Sequence, residues 1–136
     1  MNSNPILTIE LPLPPQEIRP NTRVHWARKA KKVREYRSRS KWAAIHALSE
    51  RKETAFDNPD VNSDCSFPIR KPTVRITMLN KTARKMDQDN LIASMKSAMD
   101  GLTDAGVWDD DREVTILSPI RGKDSSNPRI IIEIWE

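Results

Sequence analysis

Two acidic runs flank one predicted helix, and their residue types suit a hard divalent cation. Asp87 and Asp89 stand two positions apart, Asn90 follows directly, and the run Asp109–Asp111 comes after the helix. Carboxylate oxygens are the ligands that Mg²⁺ and Mn²⁺ prefer. In an extended segment, Asp87 and Asp89 would project to the same side and could share one ion. Either run alone is more typical of a turn or a solvated loop, so the prediction of a metal site depends on the combination.

A lysine lies where it could act beside these acids. Lys96 follows Asp89 by seven residues. On one continuous helix the two side chains would fall almost on the same line, and Lys96 would reach back toward the acids. An ammonium held there could offset negative charge that develops on a phosphate. The alternative is an ordinary surface lysine. A calcium loop is disfavoured because the glycine of that motif is absent.

The basic residues are concentrated in a different part of the chain. The net charge is +4, and between Arg19 and Lys41 Glu35 is the only acid. Such a run either keeps a surface soluble or binds a polyanion such as nucleic acid. His25 and Trp26 lie within this run, after Arg23, and either they pack against the helix or they contact nucleic acid. The candidate DNA-binding residues are Arg23, His25, Arg28, Lys29, Lys32, Arg34, Arg37 and Lys85.

Composition and motifs exclude several other classes of protein. No apolar run is long enough for a bilayer, and the first residues lack the pattern of a signal peptide. The lone Cys65 cannot form an internal disulfide, so we expect a cytoplasmic protein with no membrane partner. The chain contains no His/Cys cluster at zinc spacing and no glycine-rich phosphate loop.

Hydrophobic periodicity predicts one α+β domain over residues 1–136. We expect a mixed sheet of about four strands packed with two main helices, and a flexible loop at 52–71. Gly106 should end the second helix, and the last two strands should form an antiparallel hairpin. The predicted elements, in the order β-α-β-α-β-β, are 7–11, 23–51 (capped by Asn21 or Thr22), 73–79, 91–102, 114–117 and 130–135.

These motifs resemble the RusA-type Holliday junction resolvases, a family of small endodeoxyribonucleases. The resemblance is carried by Asp87-Gln-Asp-Asn-Leu91, Lys96, Met99–Gly106 and Trp108-Asp-Asp-Asp111. The opening, with Leu11–Pro15, Pro20–Arg23 and His25-Trp26, is similar to the phage and prophage branch of that family. The stretch 52–71 matches nothing in it, and Lys96 follows the acids by about one helical turn more than in some relatives.

The resemblance implies a homodimer that binds a four-way DNA junction and nicks two symmetry-related strands during DNA recombination and repair. It implies Mg²⁺ as the cofactor, with Mn²⁺ as a possible substitute. By position, Asp87, Asp89 and Asp111 would be catalytic metal ligands, Asp110 the neighbouring candidate ligand, and Lys96 the group that assists at the phosphate. Two alternatives stay open: a structure-selective DNA-binding protein that does not cut, and a nuclease directed to flaps or forks.

Overall fold

The computed structural model describes residues 4–20, 22–57, 67–82 and 86–136, and from 52 to 57 the backbone alone. It confirms an α+β architecture with a mixed sheet. The elements are β1 (Leu7–Leu11), α1 (Trp26–Asp57), β2 (Thr73–Asn80), α2 (Gln88–Ser94), α3 (Lys96–Asp104), β3 (Thr115–Ile116), β4 (Ile120–Lys123) and β5 (Arg129–Trp135), with 3₁₀ turns at Gln16–Ile18 and Asp111–Glu113.

The sheet has the order β1-β5-β2-β3, and β4 also pairs with β2. β5 lies antiparallel to both β1 and β2, whereas β3 and β4 run parallel to β2 at successive positions, Thr73–Val74 and Thr77–Asn80. The predicted antiparallel hairpin of the last two strands is therefore wrong. The parallel pairing follows from the helices that connect β2 to β3, because such a crossover returns the chain in the same direction.

The core lies between one face of the sheet and the helices. Alternate side chains of β2 and β5 are fully buried, as period-two alternation predicts. Ala98, Met99 and Leu102 of α3 belong to the same buried cluster. The buried side chains of the two central strands are Val74, Ile76, Met78, Ile130, Ile132 and Ile134.

Helix α1 packs Val33, Ala44 and Ala47 against the core, whereas its first residue is exposed. The helix begins at Trp26, and His25 rather than Asn21 or Thr22 caps it, since His25 Nδ1 accepts a hydrogen bond from the Ala27 amide. Asn21 lies outside the described residues. Trp26 is 76% exposed, so the expectation that it packs is wrong, while Tyr36 and Ser40 are buried. Apolar periodicity does not identify these two residues, because tyrosine and serine carry polar hydroxyl groups.

Helices α1 and α3 approach each other closely where Gly101 of α3 faces Ser40 of α1. A Cβ atom on Gly101 would lie 2.4 Å from the Arg37 carbonyl oxygen and 2.8 Å from Ser40 Cβ. The two helices therefore touch backbone to backbone at this point. The Ser40 hydroxyl donates a hydrogen bond to the Ala98 carbonyl at 2.7 Å and completes the contact.

The second predicted helix is broken into two. α2 ends at Ser94, Met95 adopts a non-helical φ of −96° and ψ of 2°, and α3 starts at Lys96. Gly106 ends α3 as predicted, with a φ of 85° that favours glycine. The Gly106 and Val107 amides donate to the Thr103 and Leu102 carbonyls, which is the hydrogen-bond pattern of a Schellman motif.

The predicted loop at 52–71 is wrong at both of its ends. α1 continues to Asp57, and Ile69 is a buried core residue whose amide donates to the Val107 carbonyl. Residues 58–66 lie outside the described part of the chain, so the flexibility expected there stays a prediction. Turn-forming residues in the sequence obscured the helical extension and the buried Ile69.

Candidate active site

The first acidic pair lies at the start of α2. Asp87 precedes the helix, with a φ of −53° and a ψ of 144°, and its side chain makes no capping hydrogen bond. Asp89 already belongs to the first helical turn, so the expected extended segment is absent. Residues two apart on a helix do not face each other, and the predicted common side therefore has no basis in strand alternation. Both side chains are exposed and have no ion-pair partner among the described residues.

A buried tryptophan fixes the second acidic run. Trp108 is fully buried, and its indole N–H donates a hydrogen bond to the Thr103 hydroxyl at 2.7 Å. The chain then turns at once into the 3₁₀ turn that starts at Asp111. Asp110 caps this turn by accepting a hydrogen bond from the Arg112 amide at 3.0 Å. The Arg112 guanidinium also binds Asp110, and these two contacts lower the pKa of Asp110 to about 2.

Lys96 joins the helix to the second acidic run. Its Nζ lies 3.1 Å from Asp100 Oδ1 and 3.2 Å from Asp111 Oδ2. Hydrogen bonds to Asp100 and then to Asp111 raise the pKa of the Lys96 ammonium, which therefore stays protonated. The expectation that Lys96 reaches back along one helix is wrong, because the break at Met95 makes Lys96 the first residue of α3.

The acidic groups differ in their readiness to bind a cation. Asp87 and Asp89 offer carboxylates without a basic partner in the described part of the chain, and oxygen donors of this kind fit a hard divalent cation. Asp111 would first have to give up its contact with Lys96, and Asp110 its contact with Arg112. In the described ranges, no three His, Cys, Asp or Glu side chains lie together as a ready metal site.

An open cleft of about 490 Å³ borders Asp87, the first residue of the acidic pair. Asp87 and Asn90 line it from α2, and Arg19 and Lys81 line it from other parts of the chain. Acidic and basic side chains therefore both line the cleft. A larger groove of about 670 Å³ lies elsewhere, between α1 and β1 around Trp42, and its one carboxylate, Glu10, lies 3.7 Å from Arg129 Nε. That groove lacks the acidic pair.

The basic run on α1 is partly neutralised within the chain. Arg37 forms the firmest contact, a two-pronged bond to Asp104 of α3 at 2.6 and 2.8 Å. Arg28 and Lys32 lie 3.8 and 3.9 Å from Glu17. His25 is exposed and caps α1, and Lys85 lies outside the described residues. The predicted DNA-binding residues that are exposed, with no acidic partner among the described residues, are Arg23, Lys29 and Arg34.

Sequence reasoning missed two residues that the structure brings to the site. Asp100 lies one turn after Lys96, so the i, i+4 spacing of opposite charges could have identified it. Arg19 belongs to the proline-rich opening and lies far from Asp87 in the sequence. No local pattern connects these two residues, and only the tertiary fold places them on one cleft.

Comparisons with known proteins agree with the arrangement of these motifs. The family model described as Endodeoxyribonuclease RusA matches residues 12–135. An uncharacterized protein of Xylella fastidiosa (strain Temecula1) is 30% identical over 109 residues, which cover 79% of this chain and 63% of that relative. The chain thus spans less than two thirds of that relative's length. Within the described ranges, no helix combines the length and apolarity that a bilayer crossing needs.

Proposed function

This chain belongs to the RusA endodeoxyribonuclease family, and from that membership we propose that it is a metal-dependent nuclease that resolves four-way DNA junctions. The observation that carries the proposal is the pair Asp87 and Asp89, exposed and free of basic partners in the described residues. Carboxylates without a cationic partner repel DNA. A bound cation would reverse the local charge, which accounts for such carboxylates on a DNA-binding surface. The same chain holds Lys96 against Asp111 at 3.2 Å.

Each residue has a role in the proposed hydrolysis. Asp87 and Asp89 would hold Mg²⁺ or Mn²⁺, with Asp111 as a third ligand once it is released from Lys96, and Asp110 as the neighbouring candidate. A divalent ion supplies charge neutralisation and a more acidic water. Lys96 would act as a cation at the phosphate and not as a base, because its hydrogen bond to Asp100, the largest cause, raises the pKa of its ammonium even when Asp111 is released.

The basic surface would supply affinity for the DNA backbone. Arg23, Lys29 and Arg34 are exposed, with no acidic partner in the described part of the chain, and can each contact a phosphate. A four-way junction has near two-fold symmetry, so two copies of the chain related by a two-fold axis would place one acidic pair at each of two opposed strands. We therefore propose that a homodimer makes paired nicks during DNA recombination and repair.

A second candidate is a junction-binding protein that does not cut. It is favoured by one observation, namely that no three potential ligands are grouped in the described ranges. The two candidates predict the same binding and differ in the response to metal. Action in the bacterial cytoplasm and a phage or prophage origin stay predictions from the sequence.

One experiment separates these functions. The purified protein is incubated with labelled four-way junction, linear duplex and flap of matched sequence, with Mg²⁺, with Mn²⁺ and with chelator. The proposal expects paired, symmetric nicks in the junction, little cutting of duplex, and no product in chelator. Binding without product in either metal would favour the non-cutting protein. Stronger cutting of the flap than of the junction would identify a flap-directed nuclease.

A further inference from the structure

The cleft beside Asp87 has two cations that the proposed hydrolysis does not use. Arg19 and Lys81 line the cleft together with Asp87 and Asn90. Neither cation has an ion-pair partner among the described residues, and neither lies on helix α1. Arg19 precedes α1 and is half-buried, and Lys81 follows the last residue of β2.

The Arg19 side chain is held in place by a backbone carbonyl. Its Nε donates a hydrogen bond to the Pro14 carbonyl at 3.3 Å. This contact orients the guanidinium, while its two terminal nitrogens donate to no acceptor among the described residues. A planar fork with free N–H donors is well suited to bind a phosphate through two parallel hydrogen bonds.

The segment that carries Arg19 is fixed to the rest of the fold. The Tyr36 hydroxyl donates to the Pro12 carbonyl at 2.7 Å, and the Ile18 amide donates to the Pro15 carbonyl at 3.1 Å. The Tyr36 hydroxyl also lies 3.9 Å from Sδ of Met95, the residue between α2 and α3. One buried side chain thereby connects the segment that carries Arg19 to the residue between α2, which follows Asp87, and α3, which starts at Lys96.

We propose that this cleft binds a backbone phosphate of the DNA strand that is cut, with Arg19 and Lys81 as the binding cations. The inference rests on the proposed nuclease function and deepens it. The cleft offers one unpaired carboxylate and two unpaired cations, which complement a divalent ion and a phosphate lying side by side. The strand would be held next to Asp87, and the basic run of α1 would contact other phosphates.

Binding in chelator tests the cleft without requiring cleavage. We expect Arg19→Ala and Lys81→Ala each to weaken junction binding about tenfold, as loss of a charged hydrogen bond does. Each should also reduce the salt slope of log Kd by about 0.7 to 0.9. The control is Lys71→Ala, an exposed lysine before β2, at the opposite end of that strand from Lys81. Lys81 is exposed and forms no hydrogen bond or ion pair with the described residues, so its variant answers the question even if Arg19→Ala unfolds.

A scan with neutral methylphosphonates identifies the contacted phosphate. In each junction one phosphate near the nick is replaced, and Kd is measured for wild type and for Lys81→Ala. The proposal expects a position within about two nucleotides of the nick where replacement weakens binding by the wild type and not by the variant. Equal losses for both proteins at every position, or unchanged affinity of both cleft variants, would overturn it.

These outcomes separate the cleft from the nuclease function. If wild-type protein cuts junctions with Mg²⁺ while both cleft variants bind and cut normally, the nuclease function stands and the cleft assignment is wrong. If the scan finds the contacted phosphate but no metal supports cutting, the cleft assignment stands and the nuclease function is wrong.

Discussion

The Lys96 ammonium lies 3.2 Å from Asp111 Oδ2 and so links the start of α3 to the turn that follows Trp108. This contact joins the two halves of the family motif, and it also occupies the carboxylate that would complete a metal site. Asp111 therefore has two competing partners, a lysine and a divalent cation. Asp87 and Asp89 have no such competitor among the described residues, which makes them the ligands that a cation would meet first.

Asp89→Asn should abolish cleavage and leave junction binding intact or tighter. The change removes a negative charge that would bind the cation and that repels the DNA backbone. The shape of the side chain changes little. Cleavage with Mg²⁺ and binding in chelator are the two measurements. Asp109→Asn is the matched control, because Asp109 is exposed, belongs to the second acidic run and has no described partner. A variant at Asp89 that cuts like wild type would remove Asp89 from the metal site.

Charge reversal at Arg34 and at Arg37 should have different effects. Arg34 is exposed without an acidic partner in the described residues, so Arg34→Glu should weaken binding of every DNA sequence several-fold and leave the free energy of unfolding unchanged. Arg37 binds Asp104 with two hydrogen bonds, so Arg37→Glu should also lower the free energy of unfolding by about 1 kcal/mol.

Fluorescence anisotropy with labelled DNA and denaturant unfolding measure the two effects. The charge-swapped protein Arg37→Glu with Asp104→Arg is the control, since it restores opposite charges across the α1–α3 contact. Recovery of stability in this double variant is expected. Equal stability of wild type and Arg37→Glu would show that the bond to Asp104 contributes nothing measurable.

Gly101→Ala should destabilise the fold by about 1 to 3 kcal/mol. The added methyl group would lie 2.4 Å from the Arg37 carbonyl oxygen, a backbone atom that cannot rotate away. Urea unfolding gives the free energy. Gly106→Ala is the comparison, because a Cβ there meets nothing within 4 Å and the cost comes from its φ of 85°. A Gly101→Ala protein as stable as wild type would contradict the close approach of α1 and α3.

The protein should lose stability as the pH rises above about 10. Burial raises the pKa of Tyr36 above its ordinary value of 10.0, although Arg19 and Arg39 oppose the shift. The folded state thus keeps the phenol proton at a pH where the unfolded chain releases it. The stabilisation is complete below the unfolded pKa and is lost as the pH rises toward the folded one.

Tyr36 is the only tyrosine, so phenolate absorbance reports it directly. The expected result is that the absorbance change coincides with unfolding followed by circular dichroism. Tyr36→Phe should lose this contribution to alkaline unfolding, while losing about 1 kcal/mol at neutral pH from the bond to Pro12. Titration near pH 10 in a protein that remains folded would contradict the burial of Tyr36.

Local patterns in the sequence determined much of the fold and the identity of the acidic residues. Alternation places Val74, Ile76 and Met78 on one face of the predicted strand 73–79, and all three have no exposed surface. Gly106 ended its helix as its conformational freedom suggests. These features depend on neighbours within a few residues, so spacing along the chain contains the information. The motif of two acidic runs flanking a helix could be recognised for the same reason, and it carried the resemblance to the family.

The tertiary structure decided which of these residues meet. Sheet order, with β5 between β1 and β2, reflects packing of whole strands and replaced the predicted hairpin. The break at Met95 turned Lys96 toward Asp100 and Asp111, although continuous apolar spacing predicted one helix. Arg19 and Asp87, which are far apart in the sequence, line the same cleft. Contacts between residues far apart in the chain depend on the packing of complete elements, and no local pattern encodes them.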